Sequence, residues 1–474
     1  MLFNSLVFLI FASLFFCFFW IVKKQKIQLA WIYITLFSFV FYGWWDWRYL
    51  FLLIGTGLID YIAALLIEKH HKYRTHFLVV SLLGNLGTLF AFKYSRFIFG
   101  QLELLLQVFG IQVSLTQNIP DFLYILPVGI SFYTFQSMSY TIDVYKGYLK
   151  PTRNVFHFFA YLSLFPQLVA GPIVRASTLI PQLVRMKPTT ETERWHGIKL
   201  IAFGFFKKVV LADNLAPMVN TAFADVNQTQ SSIYWWLTIL GFAFQIYCDF
   251  SGYTDIARGL AKMMGFHFKM NFNHPYLSSS IKQFWQNWHI SLSTWFRDYV
   301  YIPLGGSRKG KFRSHLNMWI TMVVSGFWHG ASWNFIIWGW LHAFYLSIER
   351  ILKWPKIMHQ LHLKWLATFL VMFQVLLAWV FFRAQTFADA LTILKNMLSF
   401  NTSTEFKITS DLRNGFYFMI VALLIEYLFY RIKMRNLFKN PIRLKFAETF
   451  LIAFLIAVTI FLRGKGHEFI YFQF

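Results

Sequence analysis

The sequence predicts an all-α, polytopic membrane protein, and three observations carry that prediction. Hydrophobic residues make up 57% of the 474 and charged residues only 14%, against roughly a quarter charged in a soluble domain; the mean hydropathy is +0.49. Apolar runs of about 20 residues, the length needed to cross hydrocarbon, recur along the whole chain. Lys and Arg collect in short clusters between those runs, as membrane topology requires. The 58 Phe, 19 Trp and 23 Tyr suit lipid-facing and interfacial positions.

In chain order the expected spans are 3–22, 27–45, 49–67, 77–95, 122–142, 155–171, 198–212, 232–250, 318–346, 365–382, 414–430 and 447–462. No repeat of fixed period and no low-complexity linker divides them. One membrane domain over 1–474 is therefore expected, with N-terminal helices over 1–120, a motif-bearing core over 121–350 and C-terminal helices over 351–474. The first run has no basic n-region or small-residue cleavage site, and Lys23, Lys24 and Lys26 follow it. It reads as a retained span with its N-terminus outside.

The net charge of +24 does not point to nucleic acid, because no separate basic arm exists and the clusters suit loops facing anionic headgroups. Cys17 and Cys248 both lie in apolar stretches, with neither a disulfide framework nor zinc spacing. No metal site is expected.

Loop charge tests the topology. With the N-terminus outside, the clusters Lys23/Lys24/Lys26, Lys69/Lys72/Arg74 and Lys146/Lys150/Arg153 all fall inside. The next basic block, Arg175 to Lys199, follows a single apolar run, 155–171. That run is expected to dip in and return, broken at Gly171-Pro172. The same conflict recurs around 318–346, which lies between basic blocks at 256–316 and 350–364. A hairpin would put both blocks on one side, together with the later block from Arg431 to Lys445. Its natural break is the stretch Trp328 to Trp333, which contains His329, Gly330 and Ser332. Irregular backbone at membrane depth survives only where protein or a water-filled cavity surrounds it, so His329 is expected beside a cavity.

An ionisable residue at that depth is a functional candidate by default; the plain alternative is a structural histidine bonded to a neighbouring helix. A second histidine, His289, sits in the aromatic stretch from Phe284 to Ser291. A neutral imidazole in a dry site can take a proton from a hydroxyl near neutral pH, which is what acyl transfer to an alcohol needs. Asp249 and Asp255 flank a helix end, where they could cap, pair with basic groups or orient a histidine. The turn from Pro303 to Lys311 offers Arg308, Lys309 and Lys311 as a cradle for donor phosphates, or as a solvated basic loop. There is no P-loop, HExxH or GxSxG element, which removes support for ATP-driven transport and serine-hydrolase chemistry.

At these residues the chain resembles the bacterial membrane-bound O-acyltransferase family, in the branch that serves alginate and peptidoglycan O-acetylation. The matching blocks are Pro127 to Gln136, Phe165 to Ile173, Asp249 to Asp255, Phe284 to Gly306, Gly326 to Ala331, Phe381 to Arg383 and Tyr471 to Phe474. The pair WHISLSTWFRDYVYIPLGG and WHGASWNF is the most specific. The resemblance implies a ring of about 11 transmembrane helices, with re-entrant or broken helices, around a central tunnel. His329 corresponds to the family's invariant histidine and His289 to its second one.

It also implies a multi-pass protein of the bacterial cytoplasmic (inner) membrane that passes an acyl group, acetyl foremost, across the bilayer. The donor would be acetyl-CoA or an acyl-carrier thioester, with nothing bound permanently. The acceptor would be a polysaccharide, reached through a periplasmic acetyltransferase of serine-hydrolase-like fold. Direct base catalysis and a covalent acyl relay both fit. D-alanyl transfer to teichoic acid from a carrier protein is the nearest alternative, and a glycan or lipid transporter with structural histidines is one of another class.

Overall fold

Among the described residues every regular element is helical, as an apolar solvent demands, because a helix satisfies its backbone N–H and C=O groups within one segment. The computed structural model describes residues 1–474 except 2, 170, 402–408, 433–442 and 471–474. Most of the basic block from Arg431 to Lys445 and the terminal Tyr471 to Phe474 therefore lie outside the described residues. Two units divide the chain, Met1–Gly197 with Ala257–Phe268 and Ile198–Ile256 with Lys269–Phe474.

In the first unit, α1 (Leu6–Gln25) and α2 (Ile27–Gly43) fold back on each other through the extended residue Lys26. Their seam is aromatic. Phe11 and Phe15 pack on Phe37, and both meet Phe165 edge-on at 5.2 and 5.0 Å. Next come α3 (Arg48–Lys69), α4 (Arg74–Leu89), α5 (Ser95–Val108) and α6 (Ile130–Tyr145). A π-turn over Phe90–Tyr94 joins α4 to α5, so the helical path is nearly continuous over His71–Val108. α3, α4 and α6 close around one buried carboxylate. Asp60 accepts hydrogen bonds from Ser81, Ser137 and Thr141, and from the Asn85 amide at 2.8 and 2.9 Å.

The expected span 122–142 opens with a 3-10 turn (Asp121–Tyr124) and is α-helical only from Ile130, because Pro127 and Gly129 shape its start. Gly129 takes φ +75°, and a Cβ there would lie 2.6 Å from the Leu168 carbonyl. The expected span 155–171 is broken, though at Ser163 and Leu164 rather than first at Gly171-Pro172. It forms α7 (Val155–Leu162) and the single turn α8 (Phe165–Leu168) before Gly171. Eight residues rise only about 12 Å, too little to cross hydrocarbon. α9 (Ala176–Val184) follows, and α10 (Glu191–Phe205) leads into the second unit.

In the second unit a π-turn over Phe206–Ala212 precedes α11 (Asp213–Ala224), and α12 (Ser232–Met264) runs for 33 residues before ending in the first unit. Gly204 and Gly252 let the two backbones touch; a Cβ on either would lie 2.7–2.8 Å from the other's carbonyl. Short helices α13 (Ile281–Asn287) and α14 (Ile290–Phe296) lead to α15 (Gly310–His329) and α16 (Trp333–Leu352). Beyond them lie α17 (Trp354–Gln360), α18 (Lys364–Arg383), α19 (Phe387–Leu398), α20 (Ser410–Ile432) and α21 (Arg443–Phe461).

Among the described residues, four helical stretches are long and apolar enough to cross a membrane, at Leu6–Gln25, Arg48–Lys69, His71–Val108 and Lys364–Arg383. Ile27–Gly43 and Phe446–Phe461 are shorter apolar helices. The larger number of spans expected from hydropathy includes segments that the fold interrupts or carries on into charged ends, as at 155–171, 198–212 and 318–346.

The carboxylate at the α3–α4–α6 junction makes the first prediction. Asp60→Ala deprives three hydroxyls and an amide of their acceptor, at about 1–3 kcal/mol for each donor left unsatisfied. Thermal unfolding of the detergent-purified protein should shift down by several degrees, with Asp60→Asn intermediate.

Candidate active site

His329 is the last residue of α15, and Gly330 to Ser332 separate it from α16. The two helices form an antiparallel hairpin. Trp319 donates its indole N–H to Ser347 at 2.9 Å, and Arg350 reaches Ser314 at 3.5 Å. Nearer the tip, a Cβ on Gly326 would lie 2.3 Å from the Phe335 carbonyl and one on Gly339 2.4 Å from the Met322 carbonyl. The expected break and reversal at His329 is therefore present, and Ser332 caps α16 through the Asn334 N–H.

The apolar part of each arm, Leu316 to Trp328 and Trp333 to Leu346, covers about 20 Å at 1.5 Å per residue. That falls short of the ~30 Å of hydrocarbon, so an arm starting at one interface ends before the other. His329 is buried, 4% exposed. Its ring is met edge-on by Trp328, Trp338 and Phe382 at 5.0, 5.0 and 5.2 Å.

His289 is buried too, and it takes φ +42°, a left-handed backbone that costs a non-glycine residue on the order of 1 kcal/mol. Neighbouring contacts hold it there. Ile290 donates its N–H to the Asn271 carbonyl at 2.9 Å, and Ser291 donates to the Asn271 side chain at 3.0 Å. The Nδ1 atom accepts from the Leu292 N–H at 3.4 Å, capping α14. Phe250 meets the ring edge-on at 4.6 Å.

One aromatic cluster contains both histidines without bringing their rings into direct contact. From His289 it runs through Phe272, Trp288, Trp379 and Trp338 to His329, in steps of 5.0–6.3 Å between ring centroids. His342, one helical turn beyond Trp338, stands in the same cluster 4.8 Å from Trp338 and 4.9 Å from Trp285. Neither of its ring nitrogens has a hydrogen-bond partner among the described residues. It was not singled out from the sequence, although its spacing from Trp338 on an apolar helix face was the available signal.

A cavity of about 360 Å³ opens beside this cluster. Ile290 and Leu292, which follow His289, form part of its wall, and so does Ser325, one helical turn before His329. Lys282, Arg297 and Arg350 also line it, with Glu349. Glu349 caps α13 by accepting the Ile281 N–H at 2.6 Å, and Arg297 pairs with Asp298 at 2.6 Å. Arg308 and Lys309, before α15, and Lys311, in its first turn, are exposed, and none of the three lines the cavity.

The carboxylates singled out from the sequence pair with lysines. Lys208 sits between Asp213 at 2.8 Å and Asp249 at 2.9 Å, all three buried. Lys207 pairs with Asp255 at 2.6 Å and donates to Ser251 at 3.0 Å. This cluster also anchors a C-terminal strap. Lys208 donates to the His467 carbonyl, and Asp249 accepts the Ile470 N–H. Phe469 then lies against Tyr253 and Phe250, at 4.4 and 5.5 Å, and Phe250 is the ring on His289. Among the described residues no group of histidines, cysteines and carboxylates could hold a metal ion.

His329 is thus buried at a helix break, and neither it nor His289 lines the cavity, whose wall carries Lys282, Arg297 and Arg350. Comparison with known proteins makes the class specific. Residues 148–388 match the MBOAT, membrane-bound O-acyltransferase, family profile. A protein of Pseudomonas aeruginosa named probable alginate O-acetylase is 41% identical over 77% of this chain and 69% of its own length. The peptidoglycan O-acetyltransferase of Helicobacter pylori is 36% identical over 78% and 74% respectively. The teichoic acid D-alanyltransferase of Bacillus subtilis is 30% identical over 48% and 60%. The chain belongs to the membrane-bound O-acyltransferase family. It is an O-acyltransferase and a multi-pass membrane protein.

The electrostatic core yields a stability prediction. Lys208→Met leaves two buried carboxylates without their cation, a loss on the order of 3–5 kcal/mol. The yield of monodisperse protein in detergent should fall sharply. Adding Asp213→Asn and Asp249→Asn to that variant should restore part of it.

Proposed function

We propose that the protein transfers an acetyl group from a cytoplasmic thioester donor toward a hydroxyl of a cell-envelope or secreted polysaccharide. It would act in a bacterial inner membrane with its N-terminus outside, and a periplasmic acetyltransferase of serine-hydrolase-like fold would complete the transfer. The observation that carries this reading is the position of His329, buried at the tip of the α15–α16 hairpin, one turn from the Ser325 wall of the cavity. Acetyl is favoured over D-alanyl because the acetylating relatives match more of the chain at higher identity.

His329 serves as the general base. It takes the proton of the acceptor hydroxyl as that oxygen bonds to the thioester carbonyl carbon. The carbonyl oxygen gains negative charge, which a preorganised N–H donor in a dry site stabilises. His289 is the candidate for that donor or for positioning the thioester, since Nδ1 accepts the Leu292 N–H and a neutral ring then carries its proton on Nε2. The C–S bond breaks, and the thiolate recovers the proton from the imidazolium. An ester and a free thiol result.

At about 360 Å³ the cavity is at the small end of ligand sites and suits the acyl-bearing arm shared by coenzyme A and carrier proteins. Arg297, Arg350 and Lys282, which line it, would meet that arm's phosphate. Arg308, Lys309 and Lys311, outside the cavity, would act on the donor only before it enters.

Three measurements test this. His329→Ala, reconstituted at matched protein level, should lose acetyl transfer from radiolabelled acetyl-CoA by about 10²–10⁴-fold, the usual worth of a positioned general base; retained transfer would sink the assignment. Arg297→Ala and Arg350→Ala should raise KM for the donor several-fold with little change in kcat, the pattern of lost ground-state binding. Mass analysis of the modified polymer separates acetyl from alanyl esters.

A further inference from the structure

A second cavity, in the first unit, has no residue in common with the site above. It measures about 450 Å³ and is lined by Trp20, Lys23, Lys24, Met186, Thr189 and Arg194, together with Pro188. Three cations face it and no carboxylate belongs to its lining.

The wall is built rather than incidental. Trp20 donates its indole N–H to the Met263 carbonyl at 3.4 Å, and Lys23 donates to the Met264 carbonyl at 3.0 Å. The Arg194 guanidinium lies over the Trp20 ring, 5.7 Å from its centroid. Gly265, at φ +95°, brings its backbone beneath Lys23 and Thr189; a Cβ there would sit 3.1 Å from each.

Glu193, next to Arg194 in the chain, is outside the lining but within electrostatic reach of Lys23. It accepts the Thr190 N–H at 2.9 Å and stands 3.5 Å from His267. Lys24 and Arg194 have no ion-pair partner among the described residues, and both are exposed. Two unneutralised cations beside an anchored indole suit one phosphate group.

The ligand's other half is written on α1. Leu6, Ile10, Leu14 and Ile21 are each more than half exposed, and at 100° per residue they form one stripe along the helix. Lys24 falls on that same stripe, one turn beyond Ile21. In a membrane protein the stripe meets hydrocarbon, so the cavity lies where an apolar surface ends and cationic groups begin. A soluble phosphate would use only the cavity, whereas an amphiphile would use both. Basic recesses at the ends of membrane helices are suited to anionic headgroups.

We propose that this cavity holds the phosphate headgroup of an anionic glycerophospholipid whose acyl chain lies along the exposed stripe of α1. Native mass spectrometry of the full chain, with dioleoyl phosphatidylglycerol or dioleoyl phosphatidylcholine added in equal amounts, provides the test. The wild type should retain phosphatidylglycerol at least fivefold over phosphatidylcholine. Lys24→Gln with Arg194→Gln should abolish that preference, and the charge-conserving pair Lys24→Arg with Arg194→Lys should keep it.

A second measurement needs no variant. Phosphatidylglycerol retention by the wild type should fall several-fold between 50 and 500 mM salt, because exposed cations are screened. The proposal is overturned if the glutamine pair keeps the wild-type preference, or if salt leaves it unchanged. It is also overturned if glycerol 3-phosphate displaces the lipid at equal concentration, since a free phosphate would then be the ligand.

Discussion

Where Gly326 crosses Gly339, two helix backbones approach so closely that neither position has room for a Cβ. That approach runs antiparallel, so the chain must reverse within Gly330 to Ser332. A reversal there ends α15 on His329 and starts α16 on Trp333, with Trp338 one turn further on. His329 is thus placed by backbone packing, and its neighbours then close on it. Phe382, from α18, supplies the third ring around the imidazole. If the seam were wider, the rings would no longer enclose the histidine and the adjoining cavity would lose its α15 wall.

Charge inside this fold is handled in two ways. Asp60 is surrounded by hydroxyl and amide donors from other helices, whereas Lys208 is held between two carboxylates. Both arrangements tie together segments far apart in sequence. The Lys208 cluster goes further, because it also binds backbone groups of the C-terminal strap. Through Phe469 and Phe250 that strap reaches the ring of His289, so the ion cluster is linked to that imidazole by two aromatic contacts.

The aromatic residues do more than fill space. Rings in contact edge-to-face favour fixed offsets, so a cluster from Phe272 to Trp338 holds its members in defined orientations. The same cluster buries both histidines. His342 belongs to it by position, yet no motif marked it, because a histidine within an apolar helix is distinguishable only once its neighbours are known.

Hydropathy and the spacing of basic clusters were enough to establish an all-helical membrane protein. They also located the reversal at His329, because charge on both flanks of a single apolar run has no other solution. An interruption of 155–171 was legible for the same reason, but its place was not: the helix breaks at Ser163 and Leu164, ahead of Gly171 and Pro172. Residue type singled out His289, although nothing in the sequence announced its left-handed backbone. Which cations line the cavity was a matter for tertiary structure alone: Arg308, Lys309 and Lys311 form the denser basic run, but the glycine turn leaves them exposed, while Lys282, Arg297 and Arg350 converge from three elements. The pairing of Lys208 with Asp213 and Asp249 likewise depends on segments up to 41 positions apart. Local composition records solvent preference and helix breaks, which act through a few neighbouring residues. Convergence of distant side chains is set by how the helices pack, and no short stretch of sequence contains it.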